Sequence, residues 1–120
     1  MSARDDDLGT MDAGKLIDLF KSGDASPLEA TRAALDRIDR FNDDVNAYVY
    51  IDRESAEDAA RASARRWGQG KPLSPIDGVP TSLKDLTEAK GMPVRNGSLT
   101  TGTGKADNDA PPARMLREAG

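Results

Sequence analysis

The segment Gly78-Val79-Pro80-Thr81-Ser82-Leu83-Lys84-Asp85 breaks a helical period and begins an alternating one. Val79, Thr81 and Leu83 fall on one face of a short strand, and Ser82 and Lys84 fall on the other. The predicted strand starts after Gly78 and runs out at Lys84 into a long loop. A second alternating run lies upstream, over 46–52, with Ala47, Val49 and Ile51 on one face and Tyr48 and Tyr50 on the other. Helical patterns flank both runs. The order helix, strand, helix, strand, helix predicts an α/β layered fold. Two short strands separated by a helix leave their edges unpaired, so the chain reads as the beginning of a larger sheet protein.

The predicted helices carry their own start and stop signals. Leu16, Ile17, Leu19 and Phe20 cluster on one side of a first helix, with Asp12 as its N-cap and Ser22-Gly23-Asp24 as its stop. Ser26, Pro27 and Glu29 form a capping box with proline at the first helical position. Leu28, Leu35, Ile38 and Phe41 then recur at helical spacing, with Arg32, Asp36, Asp39 and Arg40 on the wetter sides, until Asn42-Asp43-Asp44 closes the helix. From Arg53 to Trp67, the stripe Ala56, Ala59, Ala60, Ser63 and Trp67 predicts a helix that approaches a neighbour closely and ends at Gly68 and Gly70. Between Asp85 and Asp109, periodicity gives way to Gly, Thr and Asn, the signature of a long functional loop. Asp109, Pro111 and Pro112 read as the cap and first turn of a last helix carrying Ala113, Met115 and Leu116.

Composition narrows the chemistry. The chain has 120 residues, one domain at most, and with 4% aromatics its core must come from Ala, Leu, Ile and Val. It has no His and no Cys. By itself it therefore supplies no Ser-His-Asp triad, cysteine nucleophile, disulfide framework or Cys/His zinc site. No acidic cluster has the spacing of an oxygen-ligand metal loop, so neither a metal nor a cofactor is expected. The 17 Lys and Arg stand against 21 Asp and Glu, with no basic stripe, which argues against direct nucleic-acid binding. No run approaches the roughly 18 apolar residues of a membrane span, and the polar, acidic start does not read as a signal peptide. No membrane contact and a cytoplasmic location are the expectations.

Chemistry concentrates at Lys84. Strand carboxyl ends are where α/β sheets bind ligands. A lysine desolvated there becomes a general base once its neutral form is favoured, and Asp85 opposes this if its carboxylate faces the same way. The bland alternative is a solvated lysine at a strand end. Two other patterns fall away. Gly97 to Lys105 looks like a phosphate loop, but Ala106 follows Gly104-Lys105 and Leu99 stands where the first glycine belongs. Asn96-Gly97-Ser98 is a formal glycosylation sequon that carries no weight without a signal peptide.

Several ordered blocks together resemble the start of the amidase signature family. They are Gly78 to Asp85 as G-[IV]-P-x-x-x-K-D, then Gly91-Met92-Pro93 and Gly97-Ser98, then Asp109 and Leu116-Arg117-Glu118-Ala119-Gly120. Upstream, Asn46-Ala47-Tyr48-Val49 and Gly70-Lys71-Pro72-Leu73 match in the same order. The resemblance covers residues 12–120 and implies the N-terminal segment of an amidase-signature domain, truncated before its serine-containing region. Residues 1–11 are expected to be disordered.

The resemblance implies a mixed sheet flanked by helices and amide cleavage through a Ser–cis-Ser–Lys triad. The nucleophilic serine attacks the carbonyl, the cis-serine passes its proton, and a neutral lysine accepts it. Lys84 matches that lysine, which must be uncharged, hydrogen-bonded to a hydroxyl and buried at a strand end. Ser82 is not a triad position and reads as structural. Both triad serines and the oxyanion-hole N–H groups lie further downstream in the family, so the 120-residue chain by itself is expected to be inactive. A threonine pair often found before the G-S step is replaced here by Val94-Arg95-Asn96, so no substrate carries over from that loop. The expected partners are a small-molecule amide substrate and the rest of an amidase domain or a self-associating copy. Two other readings are a component of an amidotransferase that acts on mischarged transfer RNA and a non-catalytic interaction module.

Overall fold

Helix ends are set by local chemistry. In the computed structural model, which describes residues 8–120, helix α1 spans Ala13–Ser22. Asp12 caps it by accepting the Lys15 N–H at 2.9 Å, and Gly23 closes it in the left-handed region. Helix α2 spans Pro27–Val45 and opens with the full capping box: Glu29 N–H donates to Ser26 Oγ at 3.2 Å, and Ser26 N–H donates to Glu29 Oε2 at 2.8 Å. It outlasts the predicted stop at Asn42-Asp43-Asp44 and ends on Asn46, which is left-handed with φ 50°. Helix α3 spans Arg53–Gly68 and is capped by Asp52, which accepts the Ser55 N–H at 3.0 Å. Helix α4 spans Pro111–Ala119. The chain forms two units, one running to Pro80 and including Gly120, the other Thr81–Ala119.

In the first unit, α3 packs on α2 and touches α1. Leu16 and Phe20 of α1 join Leu8, Ala25, Ala30 and Ala33 in a buried core, with Met11, Leu19, Trp67 and Val79 packed around it. Trp67 meets Phe20 in a tilted pair with ring centroids 6.3 Å apart. Within the predicted small-residue stripe of α3, Ala60 and Ser63 are the buried members. Salt bridges cross between the two helices, from Arg32 to Glu57 at 3.1 Å and from Arg53 to Asp36 at 3.5 Å and to Asp39. Exposed pairs of this kind contribute little individually. Of residues 1–11, 1–7 lie outside the described residues, and Leu8 is part of the core.

The expected mixed sheet flanked by helices is not what the chain forms. The described residues hold four helices and no strand. Their β contacts are two isolated bridges, Lys90 with Ala106 and Pro93 with Lys105. The reason is physical: alternation reports which face of a segment is apolar, whereas a strand exists only when its backbone finds a partner. Over 46–52 a side chain takes that role. Asn42 accepts the Tyr48 N–H at 2.8 Å and donates to the Tyr48 carbonyl at 3.0 Å. Val49, at 61% exposed, and Ile51 stay uncovered. In the second run, Val79 N–H closes a turn on Ile76 O at 3.1 Å, and Pro80 has no N–H to offer.

The first unit is closed by a buried carboxylate. Asp77 is fully buried and accepts from Ser63 Oγ at 2.6 Å, Arg66 Nε at 2.7 Å, Arg66 Nη2 at 2.6 Å and Leu73 N–H at 2.8 Å. Trp67 Nε1 donates to its backbone carbonyl at 2.9 Å. Burial opposes its ionisation, but Arg66, Ser63 and the Leu73 N–H outweigh that and hold the carboxyl below the usual range. The next residue is glycine by necessity. Gly78 has φ 85°, and a Cβ there would lie 2.4 Å from Ser63 Oγ and 2.6 Å from Pro27 Cγ. Asp77→Ala strands Arg66 and Ser63 without their acceptor and is expected to cost about 3 kcal/mol of stability, read as a lowered midpoint in urea unfolding.

Candidate active site

The second unit is mostly loop, and carboxylates organise it. Asp85 accepts the Arg95 N–H on Oδ1 and the Gly97 N–H on Oδ2, both at 2.9 Å, while its backbone carbonyl accepts the Asn96 N–H at 3.1 Å. Those backbone bonds, Gly97 first and then Arg95, lower the Asp85 pKa against a modest opposing effect of burial, helped by the Arg95 charge. Behind this turn, Thr101 Oγ1 lies 2.9 Å from the Arg95 carbonyl and 3.1 Å from that of Ser98.

Lys84 stands beside this turn. Together with Asp85, Leu86, Asn96 and Gly97 it lines an open depression of about 290 Å³. The lysine is exposed, whereas sequence reasoning expects it buried at a strand end. Its segment has no ladder, and no element of the described chain covers it. Among the described residues no salt bridge joins Lys84 to Asp85, whose two carboxylate oxygens face the 95–97 backbone. Ser82 is also exposed, and Ser98 Oγ pairs with Thr100 Oγ1 at 2.7 Å.

Helix α4 is tied to the same unit by Asp109. Arg117 donates to it through Nε at 2.8 Å and Nη2 at 3.0 Å, and Lys90 N–H adds a third bond at 2.8 Å. Asp109 is therefore an anchor and not the predicted N-cap; the first backbone bond of α4 runs from Arg114 N–H to Ala110 O at 3.0 Å. Beside it, Ala110 N–H donates to Glu88 O, and Gly91 and Ala106 extend the contact as far as Met92.

Comparison with known proteins identifies the family. The family profile described as Amidase matches residues 29–120. A glutamyl-tRNA(Gln) amidotransferase subunit of Salinispora arenicola is 40% identical over 95% of this chain and 23% of its own length. The protein of the same name from Myxococcus xanthus is 41% identical over 82% of the chain and 20% of its own length. A solved structure described as a crystal structure of amidase superposes with a TM-score of 0.81 at 35% identity, covering 92% of this chain and 25% of that one. The chain belongs to the amidase signature family. It spans about a quarter of the length of these relatives.

Sequence reasoning singles out Lys84 and misses the role of three aspartates. It treats Asp85 only as a neighbouring charge and Asp109 as a cap, and it passes over Asp77. One signal is available: Asp109 and Arg117 are eight residues apart within matched blocks. The Arg117 guanidinium, aided by the Lys90 N–H and opposed by burial, lowers the Asp109 carboxyl from 3.8 to about 2. A depressed folded-state pKa means that the stabilisation is fully present above the ordinary carboxylate value. It is lost as pH falls from 3.8 towards about 2. Asp109→Asn is expected to flatten that part of the acid limb, measured as thermal midpoint against pH between the two values.

Proposed function

We propose that the chain is the base-delivering segment of an amidase-signature enzyme acting on a carboxylic amide, with Lys84 as its general base. The observation that carries this is the family match over residues 29–120, which contains Lys84 within its Gly78 to Asp85 block. In this reading a serine from outside the 120 residues attacks the amide carbonyl while its proton passes through a second serine to Lys84 Nζ. The departing amine takes that proton back, and water repeats the sequence on the acyl-serine to release the acid. The chain by itself has no turnover and works with the rest of an amidase domain or with a second copy. A cytoplasmic location accompanies this reading; no helix among the described residues is long and apolar enough to cross a membrane.

A second reading is favoured by the names of the relatives. Proteins about 40% identical to this chain are glutamyl-tRNA(Gln) amidotransferase subunits. On that reading the amide nitrogen is transferred to a mischarged transfer RNA rather than released, and the nucleic acid is held by partner subunits. Co-purifying subunits and amidation of glutamyl-tRNA separate it from a free-standing amidase, which releases ammonia from small amides without them.

The first measurement is the intact mass of the protein from its native source against 12.8 kDa. A mass several times larger is expected, with amide cleavage in that protein. Lys84→Ala is then expected to lower kcat by about 10²–10⁴-fold with folding retained. Parent-like turnover removes Lys84 from the mechanism.

A further inference from the structure

We infer that Asp85 is a positioning residue: by holding the Arg95-Asn96-Gly97 turn beside Lys84, it shapes the wall against which an amide substrate is seated. The inference rests on the reading of Lys84 as the base. Its geometry stands independently. Three successive N–H groups, of Arg95, Asn96 and Gly97, donate to one residue at 2.9, 3.1 and 2.9 Å. Asn96 and Gly97 are both left-handed, with φ of 52° and 63°, a pair that Asn-Gly adopts readily in a tight turn, so the bonds to Asp85 fix where that turn sits rather than its internal conformation. The depression is lined by two stretches, Lys84 to Leu86 and Asn96 to Gly97. Bonds to Asp85 are what join them.

The same bonds separate Asp85 from catalysis. Each carboxylate oxygen accepts a backbone N–H, so the group is tied to the loop, and bonds to its charged form make it a weaker base. Charge-assisted bonds of this kind are stronger than neutral ones. Losing one frees the turn, and the side of the depression facing Lys84 moves with it.

The test compares Asp85→Asn and Gly97→Ala with the parent protein. Amide hydrogen exchange is followed at residues 95–97, and steady-state amide cleavage is measured on the full-length protein. Asp85→Asn keeps the size of the side chain but turns an NH₂ group toward one of the two N–H donors. Gly97→Ala leaves Lys84 and Asp85 intact; its Cβ meets nothing within 4 Å, and the strain comes from φ 63° alone. Both variants are expected to speed exchange at Arg95 and Gly97 about tenfold or more, with the α2 amides unchanged. Both should raise KM while kcat stays far above that of Lys84→Ala, a split that a general loss of folding does not produce. If Asp85→Asn does not fold, Gly97→Ala carries the same expectation. Parent-like exchange in the variants overturns the proposal, and so does an unchanged KM once the turn has loosened. Parent-like turnover of Lys84→Ala instead defeats the base assignment, while exchange still decides whether Asp85 holds the turn.

Discussion

A charge buried at Asp77 fixes how the first unit closes. Removing a carboxylate from water is costly unless donors replace the solvent. Here Ser63 and Arg66 come from one helix and Leu73 from the loop that follows it. Meeting those donors fixes the loop against α3 and leaves no space for a side chain at Gly78. Gly120 is held there as well: its carbonyl accepts the Gly78 N–H at 2.9 Å, and a Cβ on it would lie 2.3 Å from Asp77 Oδ1. The segment from Gly78 to Pro80 therefore leaves a fixed point, although no sheet anchors it.

The second unit uses the same solution in a wetter setting. It has one helix and two isolated bridges, so neither a ladder nor a large core orders its loops. Asp85 and Asp109 stand in for both. Each binds backbone N–H groups across a gap in sequence, Asp85 to 95–97 and Asp109 to Lys90, and Asp109 adds a forked arginine. Both carboxyls are held below their usual range by these donors. Protonating either carboxyl removes acceptors that these loops depend on, so acid loosens them as the two groups titrate.

What can be read in the sequence follows the range of each interaction. Caps act over three or four residues, so Asp12, Ser26 with Glu29, and the glycine stop at Gly23 are legible and stand where expected. A motif singles out Lys84 as a candidate, but not its surroundings: the residue is exposed and lies on no strand. Asp77 is not: its partners Ser63 and Arg66 lie 14 and 11 residues away, and an aspartate before a glycine looks like any turn. The two predicted strands fail for a related reason. Alternation at Ala47, Val49 and Ile51 defines a face, but a face does not specify a partner, and here Asn42 meets the backbone instead.

The adjacency of Lys84 and Asp85 raises an electrostatic difficulty for any mechanism that needs an uncharged lysine. A free carboxylate next to an amine favours the ammonium form. In this chain the carboxylate is shared between two N–H donors, which spreads its charge and fixes its direction. The acid that would hinder a neighbouring base is thereby used to build the loop beside it. What Asp85 contributes to the loop is therefore its two oxygens and where they point.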